Sequence, residues 1–311
     1  MKYKIRIEDS TYIKLICAFL IFLHHYFQHT FLVHDVMSNC LPLFLFNQQM
    51  GYTGVAIFFF LSGYGLMESE KRNHLSFFDF CKRRLYRIYL PFLLVTIIWL
   101  PVYYYISSDP IHMKTLIYNA LLGGKDPVLW FVKIIIIQYI VFYIYSLIYK
   151  NEKFGFVYLL FMTVIVCIIA YYLIGSYSYI SIPIFSLGVL YSTYNYRKIH
   201  IKDKYTIILV CFAITTSISG YFTQNIIFSF HAIVNYLAIL TLLLLIQKDL
   251  HINIKTRRIK QLNDASFNIY LVHNKVLFVL IAVGILNIGL YFVAVLFALA
   301  IFTSMRKVCK L

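Results

Sequence analysis

Apolar runs recur along this chain from residue 11 to residue 304, broken only by short polar connectors. A helix that crosses a bilayer needs about 20 mostly apolar residues, with a usable range of roughly 17–25. Runs of that kind fall at 11–28, 51–67, 86–106, 129–149, 154–174, 205–222, 226–247, 266–284 and 286–304, with a shorter one, holding Pro183, at 178–193. None alternates strictly, as the wall of a barrel does. The pattern predicts an all-α integral membrane protein with about ten transmembrane helices.

The connectors orient those helices. Lys2, Lys4 and Arg6 precede the first run, and Lys82, Arg83, Arg84 and Arg87 flank the start of the third. Lys150 and Lys153, then Arg197, Lys198, Lys202 and Lys204, then Lys255, Arg257 and Arg258, and finally Arg306 and Lys307 fall on the same side. The alternate connectors hold only Lys114 and Lys125. Cytoplasmic connectors carry the excess of Lys and Arg, so both termini are expected in the cytoplasm.

Composition supports the same picture. Apolar residues make up 61% of the chain and charged residues 13%, against about 25% charge in a soluble domain. A single transmembrane domain over residues 1–311 is expected, with no additional soluble domain. The net charge of +16 would suit a nucleic-acid binder. Here the basic residues sit in connectors, where topology accounts for them, and no nucleic-acid partner is expected. The six cysteines form no CxxC pair, which argues against a disulfide framework or a metal site.

All twelve carboxylates lie in connectors or at the ends of runs, which argues against a proton- or sodium-coupled carrier. The ionisable groups inside the runs are Lys14, His24, His25, Lys133, His231, His273 and Lys275. Such groups are costly in hydrocarbon and usually face a cavity or a partner. Lys14 and His25 are eleven residues apart, so they share one helix face about 16 Å apart along the axis. His24 points about 100° away. Two readings stay open for this face. Either Lys14 snorkels to the inner headgroups while the histidines bond neighbouring helices, or the face carries a cation low and a general base high. For His231 and Lys133 the packing reading is the simpler one.

The second run reads Gly51-Tyr-Thr-Gly54-Val-Ala-Ile-Phe58-Phe59-Phe60-Leu61-Ser62-Gly63. Its small residues permit close backbone approach, to another helix or to a ligand. Beyond it comes Phe80-Cys-Lys82-Arg83-Arg84-Leu-Tyr-Arg87-Ile88-Tyr-Leu-Pro91. Arginine suits phosphate, because its planar fork donates paired hydrogen bonds; an ordinary basic collar at the membrane surface has the same look.

In their order along the chain, these segments resemble the membrane-bound acyltransferase 3 family, which includes polysaccharide and O-antigen O-acetyltransferases. The family's "D-x-L-R" entry to the first helix, with a histidine eleven residues after the arginine, is matched by Lys14 and His25. Its "G-x-x-G-V-x-x-F-F-x-L-S-G" is matched by Gly51 through Gly63, and its "R-R-x-x-R-I-x-P" loosely by Arg83, Arg84, Arg87, Ile88 and Pro91. Leu129-Trp130-Phe131, Phe185 to Gly188 and Ser266 to His273 resemble later blocks. Lys14 departs from the pattern by keeping the charge without the fork. Val132-Lys133 stands where many members have a glutamate.

The resemblance implies transfer of an acyl group, acetyl by preference, from cytoplasmic acyl-CoA to a hydroxyl of a cell-surface polysaccharide or its lipid-linked precursor. It implies His25 as catalytic base, with Lys14, Ser62, Arg83, Arg84 and Arg87 holding the acyl-CoA and His24, Trp130 and His273 as accessory groups. Acetyl-CoA is then a substrate, and no permanently bound cofactor or metal is expected. The partners are acyl-CoA, a glycan acceptor and membrane lipids. A composition rich in Ile, Lys, Asn and Tyr points to a bacterial plasma membrane. A glycan or lipid exporter without chemistry, for which 28 Tyr and 28 Phe would serve equally well, remains an alternative. So does acyl transfer to a small molecule.

Overall fold

Backbone polar groups in hydrocarbon must be satisfied within the chain, which leaves the helix as the natural element for apolar runs of this length. The computed structural model describes residues 5–33, 41–108, 112–122, 130–150, 152–173, 180–196, 226–247 and 256–308. Among these residues there is no strand. The helices are α1 (Ile7–Val33), α2 (Leu41–Glu70), α3 (Phe77–Phe80), α4 (Tyr86–Ser107), α5 (Met113–Leu122), α6 (Trp130–Ile148), α7 (Glu152–Leu173), α8 (Ile182–Tyr196), α9 (Ile226–Gln247), α10 (Thr256–Ala282) and α11 (Ile288–Val308).

Seven spans among the described residues are long and apolar enough to cross a membrane, and α8 and α9 add two shorter apolar helices. The outward faces carry large apolar side chains such as Phe161, Phe292 and Phe297. Water would not tolerate so continuous an apolar surface, and the chain is a multi-pass membrane protein. The expected run at 205–222 lies outside the described residues.

Several boundaries differ from the sequence pattern, three of them near the site. The second helix begins at Leu41, ten residues before the apolar run, and so includes Asn47 and Gln49. The third span begins at Phe77 and passes through a π turn, Cys81–Leu85, in which the Tyr86 N–H donates to the Cys81 carbonyl. That turn places Arg83 and Arg84 inside the helix rather than on a collar ahead of it. Ser76 caps its start by accepting from the Asp79 N–H. The connector 107–128 holds a helix, α5.

Two helix pairs position the site. α2 and α8 cross where a Cβ on Gly63 would lie 2.2 Å from the Phe185 carbonyl oxygen, and one on Gly188 would lie 2.2 Å from that of Phe60. The missing side chains let the two backbones meet. Gly51 and Gly54 likewise receive the His24 ring and Ile21 of α1. At Gly51, Gly54 and Gly63 the small residues of the second run therefore serve helix packing.

The second pair is α1 and α10. Lys14 reaches Asn263 across 249 residues of sequence, and His25 faces His273 across one residue fewer. A separation that barely changes over eleven residues means that the two helices run parallel and in step.

Candidate active site

One end of the α1–α10 seam encloses a cavity of about 180 Å³. Its wall carries five cations: Lys14 of α1, Arg83 and Arg84 of the π turn, Arg87 of α4 and Arg306 of α11. Asp264 of α10 is the only carboxylate on that wall among the described residues. Phe58 and Ser62 of α2, with Phe131, Ile135 and Tyr139 of α6, close the other side.

The cations are held largely by neutral groups. Lys14 Nζ donates to Asn263 Oδ1 at 3.3 Å, Arg84 Nη2 to Ser69 Oγ at 2.6 Å, and Arg306 Nη1 to Asn268 Oδ1 at 2.9 Å. Arg87 Nη2 stands 3.9 Å from Asp264 Oδ1. The charge is oriented without being cancelled. Arg306 is only 9% exposed, and its Nε has no hydrogen-bond partner among the described residues. A buried guanidinium donor left open is costly and is well suited to a phosphate or carboxylate arriving in the cavity.

The opposite end of the seam is built from histidines. From the cavity, α10 presents Ser266, Tyr270 and His273 at successive turns. Ser266 lines the cavity; the Tyr270 ring packs on Phe131 at 5.3 Å and lies 6.0 Å from the His273 ring. His273 is 5.2 Å from His25, and His25 is 4.7 Å from His24, centroid to centroid. His25 stands beyond the cavity wall and keeps part of its surface exposed, whereas both flanking histidines are buried.

Hydrogen bonds settle the flanking tautomers. His24 Nδ1 is 2.8 Å from the Asn47 carbonyl oxygen, and His273 Nδ1 is 2.9 Å from that of Ile269. A carbonyl can only accept, so both Nδ1 atoms carry protons and both neutral rings present Nε2 as an acceptor. The central imidazole thus sits between two rings whose orientation is locked by backbone.

Of the residues singled out from the sequence, Lys14, Ser62, Arg83, Arg84 and Arg87 line one cavity, and His24, His25 and His273 form one cluster. Trp130 lies outside the cavity wall, 6.3 Å from Phe59, while its neighbour Phe131 lines it. Sequence reasoning missed Arg306, whose position after the last apolar run is that of any topological charge. Among the described residues no group of His, Cys, Asp and Glu is arranged to hold a metal ion. A second crevice, of about 250 Å³ between α4, α10 and α11, is lined by apolar side chains and by Lys275, which lies over Trp99 at 5.9 Å.

Fold and site together define a multi-pass membrane protein with a strongly basic cavity and an imidazole cluster at a second depth. Residues 7–306 match the family model described as an acyltransferase domain, and the chain belongs to that acyltransferase 3 family. No curated protein and no solved structure matches the chain significantly.

Proposed function

We propose that this acyltransferase moves an acyl group, acetyl by preference, from acyl-CoA to a hydroxyl of a surface polysaccharide or its lipid-linked precursor in a bacterial plasma membrane. The observation that carries this reading is the α1–α10 seam, with five cations at one end and His25 about 16 Å away along the same helix. A donor with phosphates at one end and a thioester at the far end of a long arm fits that separation.

With both termini in the cytoplasm, as the connector charges favour, the basic cavity faces the cytoplasmic pool of donor. Arg83, Arg84, Arg87 and Lys14 hold the phosphates, and Ser62 lies beside the arm. His25 accepts the proton of the acceptor hydroxyl as its oxygen attacks the thioester carbonyl. The tetrahedral intermediate collapses with cleavage of the C–S bond, and the thiolate takes the proton back from His25. The products are an ester and free CoA thiol. His24 and His273 keep the His25 ring in place.

Mass spectrometry of the surface polysaccharide tests this reading in strains with the wild-type gene, a deletion and His25→Ala. Loss of the acetyl increment in both mutants, with polymer still on the surface, is the expected result. Loss of the polymer itself in the deletion, with His25→Ala like wild type, would replace the enzyme by an exporter.

A further inference from the structure

Beside the histidine cluster, early in α2 and early in α9, lies a second buried polar group. His231 Nδ1 is 2.8 Å from Gln49 Oε1. Gln49 Nε2 donates to Thr53 Oγ1 at 2.7 Å and to Asn235 Oδ1 at 2.9 Å, and Thr53 Oγ1 donates to the same oxygen at 3.2 Å. His231 and Asn235 are 1% and 0% exposed; Gln49, Thr53 and Tyr52 keep part of their surface open. The network adjoins His24, because Gly51, between Gln49 and Thr53, seats the His24 ring.

The directions of these bonds leave a defined remainder. Both Gln49 Nε2 contacts are to oxygen acceptors, so Gln49 Oε1 is the acceptor and His231 Nδ1 carries the proton. His231 then presents Nε2 as an acceptor. Asn235 Oδ1 accepts twice, while Asn235 Nδ2 has no hydrogen-bond partner among the described residues. A structural network of amides would be expected to close on itself. This one ends in an open donor on Asn235 and acceptor nitrogens on His231 and His24.

A vicinal pair of hydroxyls is both donor and acceptor and complements such a mixed, uncharged set. The Tyr52 ring, 4.7 Å from His231, adds an aromatic face of the kind that stacks on a sugar ring. A charged acceptor would instead find no cation among these groups. Resting on the acyl-transfer reading above, we infer that Asn235, His231, Gln49 and Tyr52 form the subsite for the acceptor sugar, placing its hydroxyl at His25. The subsite is specific for a neutral polyol portion of the acceptor.

The test uses the full-length protein in lipid nanodiscs, acetyl-CoA, and the unacylated surface glycan purified from a deletion strain. Asn235→Asp keeps the oxygen that Gln49 and Thr53 donate to and, in its ionised form at raised pH, removes the Nδ2 donor. His231→Asn keeps a donor toward Gln49 and removes the Nε2 acceptor. Each variant is expected to raise the glycan concentration at half-saturation about 5-fold or more, as for one lost buried hydrogen bond. The KM for acetyl-CoA stays within error of wild type in both variants, and so does the thermal midpoint of His231→Asn. Asn235→Asp buries a carboxyl among neutral groups and is expected to lower its own midpoint as well. A fall in the midpoint with the glycan constant unchanged in both variants would make the network structural only and overturn the subsite. Equal movement of the donor and glycan constants would overturn it as well. A wild-type protein that leaves the glycan unmodified would overturn the polysaccharide reading, and this subsite with it.

Discussion

At one end of the α1–α10 seam, five cations share a cavity with, among the described residues, a single carboxylate. At the other, His24, His25, His231 and His273 stand among the amides of Asn47, Gln49 and Asn235, none of which carries a fixed charge. Arg83 and Arg87 are exposed and Lys14 and Arg84 partly so, while Arg306 is buried. Like charges gathered around one cavity repel each other, so their collection in one place argues for a ligand that brings several negative charges. Imidazoles and amides cost less to bury; both share hydrogen bonds, and an imidazole can also take up and return a proton. In the proposed mechanism one end holds the donor and the other reacts. The in-step pairing of α1 and α10 keeps the distance between them constant.

Substitutions that separate the two ends sharpen this contrast. The largest effect is expected for His25→Ala, which removes the only proton acceptor of the proposed step and should lower transfer by about 10²- to 10⁴-fold, with donor affinity intact by equilibrium binding of acetyl-CoA. Next, Arg84→Gln or Arg306→Gln should weaken donor binding by about 10- to 100-fold, as for a charge-assisted hydrogen bond worth ~1.5–3 kcal/mol. The turnover rate at saturating donor should stay near wild type. Arg306 makes the sharper case, since its Nε is open; an unchanged Kd there would reduce that charge to topology.

Gly63→Ala is expected to act on neither end. A Cβ there meets the Phe185 carbonyl at 2.2 Å, so the cost appears as stability, about 1–3 kcal/mol for overpacking, read as a lower thermal midpoint at unchanged ratio of donor to acceptor constants. A selective loss of donor binding instead would tie the α2–α8 crossing to the cavity. The smallest effect is expected for Lys14→Arg. It keeps the charge beside Asn263 and should move the donor Kd by no more than about threefold, whereas Lys14→Gln should cost about tenfold.

The helices and most of the cavity were legible in the sequence because both leave periodic traces. Apolar runs mark spans by length alone, and Lys14 and His25 mark a shared face by their spacing. The arginines after the second run announced themselves by type and clustering. Three features left no such trace. The polar stretch Asn47-Gln48-Gln49 reads as a connector by hydropathy, yet α2 starts at Leu41; the Asn47 carbonyl and the Gln49 side chain have buried partners on α1 and α9 that local composition does not contain. Arg306 was counted among the topological charges, since only the tertiary arrangement brings the end of α11 beside Arg87 and Ser266. The π turn is a third case: one extra residue per turn is a backbone choice that the residue types at 81–85 do not declare.

The division between holding and reacting is tested most directly by measuring acetyl-CoA binding and single-turnover transfer side by side, on wild-type protein, His25→Ala and Arg84→Gln in nanodiscs. His25→Ala should bind acetyl-CoA with wild-type affinity and transfer nothing measurable, while Arg84→Gln should bind weakly and, once saturated, transfer at close to the wild-type rate. Transfer by His25→Ala at a rate near wild type, or loss of donor binding in that variant, would contradict the assignment of the two ends.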